Sequence, residues 1–432
     1  MRFTSVQIAE ITGGRLVGDD VECDSVTIDS RTVEPGALFV PIVAERDGHD
    51  FIEAAIEAGA SAHLTQREPQ GGTAIVVDDT LRALTELGRE ARRRHRGPVV
   101  AITGSVGKTT VKDLAVAAIG IDLECHASLR SFNNEYGVPL TLVNAPETAD
   151  VLIVEMGARS IGNIDDLCAI AEPTVGVVTW VGAVHTSEFG SIDGVAKAKG
   201  ELVQALPADG TAILNIDNDR VAAMADLSFA EVLTYGEGAM VAATGVELDD
   251  ELRPEFTVIV DGQRHRVALP VHGEHQVSNA LAAIAAARAV GVPTDRAVIG
   301  LRSVQLSPWR MEFRRRADGG LLINDAYNAN ALSTESALRS LAGVDAERRV
   351  AVLGLMAELG DHHDEDHRAM TDLADELGIE LLAFREPAYG RPVLESFDDV
   401  VEALGELGPG VAVLVKASRV AGLERLAGRL LG

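Results

Sequence analysis

Short continuous apolar runs alternate along this chain with stretches whose apolar residues recur every third or fourth position. That alternation predicts buried strands separated by amphipathic helices. Before residue 98 the strand-like runs are VTIDS, ALFVPIV and AIVVDD, and the helical ones are FIEAAIEAGA and the Arg-rich LRALTELGREARRRHRG. Gly97-Pro98 breaks the pattern. Beyond it VVAIT, VLIVEM, VGVVTWVG and TAILNID read as strands, and IDDLCAIA, GVAKAKGELVQAL and NALAAIAAARAVG as helices. Such strand–helix alternation belongs to a parallel sheet covered on both faces. Residues 239–270 interrupt it with hairpin-like runs that predict an antiparallel appendage. A second break falls at Ser307-Pro308, after which LLINDAY, RRVAVLGLM, IELLAF and VAVLVKAS repeat the alternation. The pattern therefore predicts an α/β protein of three domains, 1–98, 99–306 and 307–432, and a chain of 432 residues agrees with that count at about 150 residues per domain.

Charge narrows the partners. The chain carries 38 basic and 66 acidic side chains, a formal net charge of −28. Such a charge repels nucleic acid and anionic membranes, while a few lysines and a helix N-terminus still suffice for a small anionic ligand. Cys23, Cys125 and Cys168 are scattered without metal-ligand spacing, which suits a reducing compartment. With no basic leader before an apolar stretch and no run of 18 apolar residues, the sequence reads as cytoplasmic, without membrane insertion.

The strongest chemical signal is AITGSVGKTT at 101–110, placed after a predicted strand and before a predicted helix. That is the context of a phosphate-binding loop. Backbone N–H groups from Gly104, Ser105, Val106 and Gly107 would face anionic oxygens, Lys108 would reach the outer phosphates, and the Thr109 and Thr110 hydroxyls stand at the helix start, with Thr109 placed to bind Mg²⁺. The longer GxxxxGK[ST] pattern fails, because Ile102 occupies its first glycine position, so a plain glycine turn before a helix is the alternative. Glu155 ends the strand-like run VLIVE, where open α/β sheets put their ligands; a carboxylate capping the next helix is its alternative. Lys197 and Lys199 read, from the residues alone, as a solvated helix face.

The shortened loop TGSVGKTT, with several other stretches, resembles the Mur ligases, ATP-dependent enzymes that add amino acids to the UDP-linked peptidoglycan precursor. Asp29-Ser30-Arg31 and Asp47-Gly48-His49-Asp50-Phe51 resemble the family's uridine-nucleotide segment, which puts Ser30 and Arg31 on substrate. Asn133-Asn134-Glu135 and Asp325-Ala326-Tyr327-Asn328-Ala329-Asn330 resemble the branch that adds D-alanyl-D-alanine to UDP-N-acetylmuramoyl-tripeptide. The resemblance implies a small N-terminal α/β uridine-nucleotide domain, a central P-loop-type parallel-sheet ATPase domain and a Rossmann-like C-terminal domain, acting as a monomer on small molecules. It implies ATP and two Mg²⁺ ions held by Thr109, Glu155, His185 and Lys199, with Lys199 carbamylated and Lys108, Lys199 and His185 catalytic. Asn279 is matched to adenine, Arg310 to phosphate and Asp325 to ribose, while Asn133, Asn134, Glu135, Tyr327, Asn328, Asn330, Lys416, Ser418 and Arg419 are matched to substrate.

The sequence departs from the family pattern at Trp180, Gln276, Ala331, Leu355 and Ala417, and it is short between Phe384 and Asp398. These departures leave two other readings open: a Mur-like ligase with a different amine or carboxylate, and a nucleotide-binding scaffold. Diaminopimelate and lysine stay equally open as the third residue of the tripeptide. The stretch HHDEDH at 362–367 is assigned no metal.

Overall fold

The computed structural model describes residues 2–69, 71–129, 131–183, 189–357 and 359–431. Three α/β layers carry them. The first is a five-stranded sheet of Arg15–Val17, Thr73–Val76, Ala62–Thr65, Ala37–Phe39 and Ser25–Thr27, with a small ribbon of Phe3–Thr4 and Glu22–Cys23 beside it. The run AHLT at 62–65 had escaped the periodicity because His63 and Thr65, both polar, are buried with their apolar neighbours.

The central sheet has nine strands. Seven pair in parallel, in the order Cys125–Ala127, Val151–Glu155, Val99–Thr103, Val175–Val178, Thr211–Asn215, Glu231–Tyr235 and Val241–Leu248. Beyond Val241–Leu248 the pairing turns antiparallel, with Pro254–Val260 and then Gln263–Ala268 extending the far edge, as the hairpin-like runs predicted. Chain order reverses around Val99–Thr103: the next two strands in sequence lie to one side of it and the later ones to the other. A crevice opens beyond the carboxyl ends of strands at such a switch point. The third sheet has six strands, with Glu312–Arg315 antiparallel on the edge and Leu321–Asn324, Val411–Lys416, Arg348–Leu353, Glu380–Phe384 and Val393–Leu394 parallel.

The first two layers share one core. Leu84, Leu87 and Ala91 of the helix Thr80–Arg94 cluster with Val138 and Leu142 of the helix Gly137–Val143 and with Val99 and Leu152 of the central sheet. The break at Gly97-Pro98 is thus a corner in a continuous apolar interface. Asn144 reinforces it by accepting from Val26 N at 2.8 Å and donating to Val26 O at 2.9 Å. Gly88 is what lets the two helices meet: a Cβ there would lie 2.8 Å from Pro139 Cα. Gly88→Ala is expected to destabilise the protein by about 1–3 kcal/mol through overpacking, read as a lower urea midpoint at unchanged slope.

Candidate active site

All five residues of the strand Val99–Thr103 are buried, and the chain leaves it through Gly104 and Gly107, whose φ values of +148° and +84° suit glycine. Space demands glycine as well. A Cβ on Gly104 would lie 2.0 Å from Thr179 Oγ1, and one on Gly107 would lie 2.8 Å from Asn279 Oδ1. Thr179 in turn donates to Val106 O at 2.5 Å, and Ser105 N donates to Trp180 O at 2.7 Å, which fixes the loop against the next strand. The helix Lys108–Ile119 starts at Gly107 with no side-chain cap. Its first N–H groups and positive dipole end therefore face the crevice, as a phosphate site requires.

Thr109, Glu155 and Arg310 converge there from three segments. Thr109 Oγ1 lies 2.8 Å from Glu155 Oε2 and 2.9 Å from Ser131 Oγ, while Asn133 Nδ2 donates to Glu155 Oε1 at 2.7 Å. Glu155 is buried, and its carboxylate faces Thr109 instead of capping a helix. The N-terminus of the following helix, Asn163–Ala171, is capped by Glu201, which accepts from Gly162 N, Ile164 N and Asp165 N at 2.6, 3.1 and 3.1 Å. Arg310 Nη2 donates to Thr109 Oγ1 at 2.9 Å and to Ser131 Oγ at 3.3 Å, and its guanidinium stacks over the Tyr327 ring at 4.1 Å.

Two cavities flank Lys108. One of about 430 Å³ is bounded by the loop 105–110, Asn279, Arg310, Asp325 and Lys416. The other, of about 500 Å³, is bounded by Asn134, Glu135, Arg159 and Lys199. Ser105, Lys108, Asn133 and Asn328 line both. Lys108 Nζ donates to Gly104 O at 2.7 Å, which holds the ammonium over the loop and between the two spaces.

The two lysines of AKAKGE separate cleanly. Lys197 is exposed, as a solvated helix face requires, but Lys199 is 3% exposed. Burial, then the Lys108 charge, pushes Lys199 down to about 7 from 10.5, against the opposing pull of Glu201 and Glu155. Its ammonium lies 5.9 Å from the Phe189 ring centroid. In the third layer, Asp325 accepts from Met311 N at 3.1 Å and from Lys416 Nζ at 2.5 Å, and Lys416 also donates to Asn328 O at 2.9 Å. Burial lowers the Lys416 pKa, and burial likewise pushes His275 down to about 4, so this imidazole is neutral.

Of the other matched residues, Asn330 reaches the first cavity and the rest sit elsewhere. Ser418 Oγ donates to Ala329 O at 3.2 Å and accepts from Ala357 N at 2.8 Å, so it ties together two loops behind the site. Asn330 lines the first cavity and caps the helix Ala331–Gly343 through Ser333 N at 2.9 Å. Arg419 stacks on Trp309 at 4.2 Å and pairs with Glu424 at 2.9 Å. Ser30 and Arg31 lie on a short turn of the first layer, where Arg31 is held by Asp29 at 2.7 Å, and neither lines the two cavities. His185 lies outside the described residues. In the stretch 362–367, both ring nitrogens of His367 are used: Nδ1 donates to His363 O at 2.6 Å and Nε2 accepts from Met356 N at 3.0 Å. That leaves His367 no lone pair for an ion, although His363, His367 and Glu386 lie near one another. Thr179, Ser131, His275 and Glu201 were missed in the sequence, since each belongs to the site through a contact made only on folding.

Three family models match this chain: "Mur ligase family, catalytic domain" over residues 22–95, "Mur ligase middle domain" over 102–287, and "Mur ligase, glutamate ligase domain" over 309–419. Among curated relatives, the UDP-N-acetylmuramoyl-tripeptide--D-alanyl-D-alanine ligase of Mycobacterium leprae is 36% identical over 100% of this chain and 98% of its own length. The Escherichia coli protein of the same name is 34% identical over 98% and 97%. Among solved structures, MurF from Acinetobacter baumannii has a TM-score of 0.88 at 29% identity, covering 100% of this chain and 99% of that one. MurF ligase from Thermotoga maritima, in complex with ADP, has a TM-score of 0.81 at 26% identity over 94% and 96%.

Proposed function

The chain belongs to the Mur ligase family, and from that premise we propose that it joins D-alanyl-D-alanine to UDP-N-acetylmuramoyl-tripeptide with the hydrolysis of ATP. The observation that carries this reading is the placement of Lys108 in the wall between two cavities. A nucleotide in the first would put its terminal phosphate beside a carboxylate in the second. The carboxylate oxygen attacks the γ-phosphorus, ADP departs, and an acyl phosphate remains. The dipeptide amine then attacks the acyl carbon, losing a proton and expelling phosphate as the amide forms. The backbone donors at the start of the helix Lys108–Ile119 and the Lys108 and Arg310 cations neutralise charge on the transferred group.

The donor set suits a hard cation: a buried carboxylate, Glu155, 2.8 Å from the Thr109 hydroxyl. Thr109, Glu155, His185 and a carbamylated Lys199 would hold two Mg²⁺ ions, whose chemistry is to offset phosphate charge. Lys199 supports that assignment, since a buried amine with a pKa of about 7 is a nucleophile for CO₂ at neutral pH. Asn279 takes adenine, Asp325 the ribose, and Asn133, Asn134, Glu135, Tyr327, Asn328, Asn330 and Lys416 the acyl and amine substrates. Ser30 and Arg31 take the uridine nucleotide at the first layer. The domains are 1–98, 99–306 and 307–432, and the protein works as a cytoplasmic monomer. Among the described residues, no helix is long and apolar enough to cross a membrane.

The acyl-phosphate route has a direct test. With ¹⁸O in the terminal carboxylate of the tripeptide, one labelled oxygen per turnover is expected in the released phosphate. Phosphate without label would exclude this route.

A further inference from the structure

Residues 307–311 form a strap that leaves the central layer and enters the third, and Arg310 is the side chain it delivers to the phosphate cavity. The strap is anchored at both ends. At the far end, Met311 is buried in the third-layer core, and its N–H donates to Asp325 Oδ1 at 3.1 Å. At the near end, Ser307 N donates to Asp113 Oδ2 at 2.6 Å and Ser307 Oγ to Asp113 Oδ1 at 3.2 Å. Asp113 is on the helix Lys108–Ile119, one turn beyond Thr109, so the helix that starts at the phosphate loop also holds the strap.

Asp113 is itself held. Lys112 Nζ lies 3.0 Å from Asp113 Oδ1 and donates to Ser128 O at 2.9 Å, and the two side chains are only 4% and 10% exposed. The two Asp113 oxygens are thus held between the Lys112 ammonium and Ser307, and breaking either contact would leave a largely buried charge without that partner. Between the anchors the backbone is strained: Trp309 and Met311, on either side of Arg310, adopt φ values of +62° and +48°. Residues with a Cβ hold such conformations only where surrounding contacts impose them. Arg310 Nε is buried without a hydrogen-bond partner, so the guanidinium is kept where it is by the backbone that carries it, by its stacking on Tyr327 and by its Nη2 contacts to Thr109 and Ser131.

We propose that Asp113 is a positioning residue for the ligase reaction: by clamping Ser307 to the phosphate-loop helix it forces the strained strap that presents Arg310 to the nucleotide's phosphates. The inference rests on the ATP-dependent reading above. A carboxylate with two acceptor oxygens is what the clamp needs, one for the N–H and one for the hydroxyl of Ser307. Asparagine keeps the volume but offers one acceptor, and alanine at 307 removes the hydroxyl alone.

The test is a double-mutant cycle of D113N with R310A, with S307A as the milder lesion, read on kcat/KM for ATP and on the Kd of Mg-ATP by titration calorimetry. D113N is expected to lower kcat/KM for ATP about tenfold and S307A about threefold, with KM for D-alanyl-D-alanine within about twofold of wild type. In the R310A background, neither substitution is expected to lower activity or affinity further. A full additional loss in that background, or wild-type behaviour of D113N, would overturn the proposal. If D113N fails to fold, S307A with R310A decides on the same criterion. Because the Kd needs no acceptor substrate, a wild type that binds Mg-ATP but forms no product would remove the functional reading while the cycle still decides the role of Asp113.

Discussion

Lys108→Ala is expected to lower the rate of product formation by a factor on the order of 10²–10³, while the folded protein melts within a few degrees of wild type. The reason is position. Lys108 begins a helix with no side-chain cap, and its ammonium is held over the loop at 2.7 Å from Gly104 O, in the wall shared by the two cavities. Charge grows on the transferred phosphoryl oxygens as the carboxylate attacks, and a fixed cation there stabilises that state more than the separate substrates. Arginine does not replace it, because a planar fork in place of a compact ammonium would crowd the narrow loop held by Gly104 and Gly107. Steady-state kinetics with calorimetric melting checks this outcome. A variant retaining more than about a tenth of the activity would show that Lys108 is a structural brace of the loop, with no part in charge neutralisation.

Lys199→Ala is the second large effect, again on the order of 10²–10³ in kcat, and it has a signature of its own. A lysine buried beside Lys108 loses its proton near pH 7, which ordinary lysine keeps to 10.5. On the proposed reading, above about pH 7 the free amine would add CO₂, forming an N–C bond and releasing a proton, so that the site would gain an anion in place of a neutral amine. Enzyme stripped of CO₂ at low pH is therefore expected to recover on adding bicarbonate above pH 7, and to recover slowly below it, where the amine is protonated. Short carboxylates such as acetate should partly restore Lys199→Ala and leave Lys108→Ala inactive. Wild-type activity indifferent to CO₂ removal, together with no rescue, would mean that Lys199 acts as a neutral amine. Intact-mass analysis of the native protein checks the modification independently.

The strands and helices were legible where one period dominated. VVAIT, VLIVEM and VAVLVKAS became buried parallel strands, and the runs after residue 239 became the antiparallel edge. What periodicity did not register was polar burial: AHLT at 62–65 hides His63 and Thr65, and the strand Glu231–Tyr235 buries Tyr235 with its hydroxyl. The phosphate loop was legible because glycine is demanded there twice, by backbone angle and by the approach of Thr179 and Asn279. Lys199 was not legible from the residues, since two lysines spaced by one on a helix look alike until the fold buries one and exposes the other. Asp113, Glu201 and Ser131 carried no local signal at all, as each acts on a segment far along the chain. The family departures at Leu355 and Ala417 fall behind the site: Leu355 O accepts from Ser418 N at 2.8 Å, and Ala417 is fully buried against Gly354.

The most direct measurement is phosphate release by the purified protein with Mg-ATP, UDP-N-acetylmuramoyl-tripeptide and D-alanyl-D-alanine, omitting each in turn, with mass spectrometry of the product. Release that requires all three, with UDP-N-acetylmuramoyl-pentapeptide appearing in step with it, is the predicted result. Release that needs the UDP-tripeptide but ignores the dipeptide, or no release despite ATP binding, would contradict it.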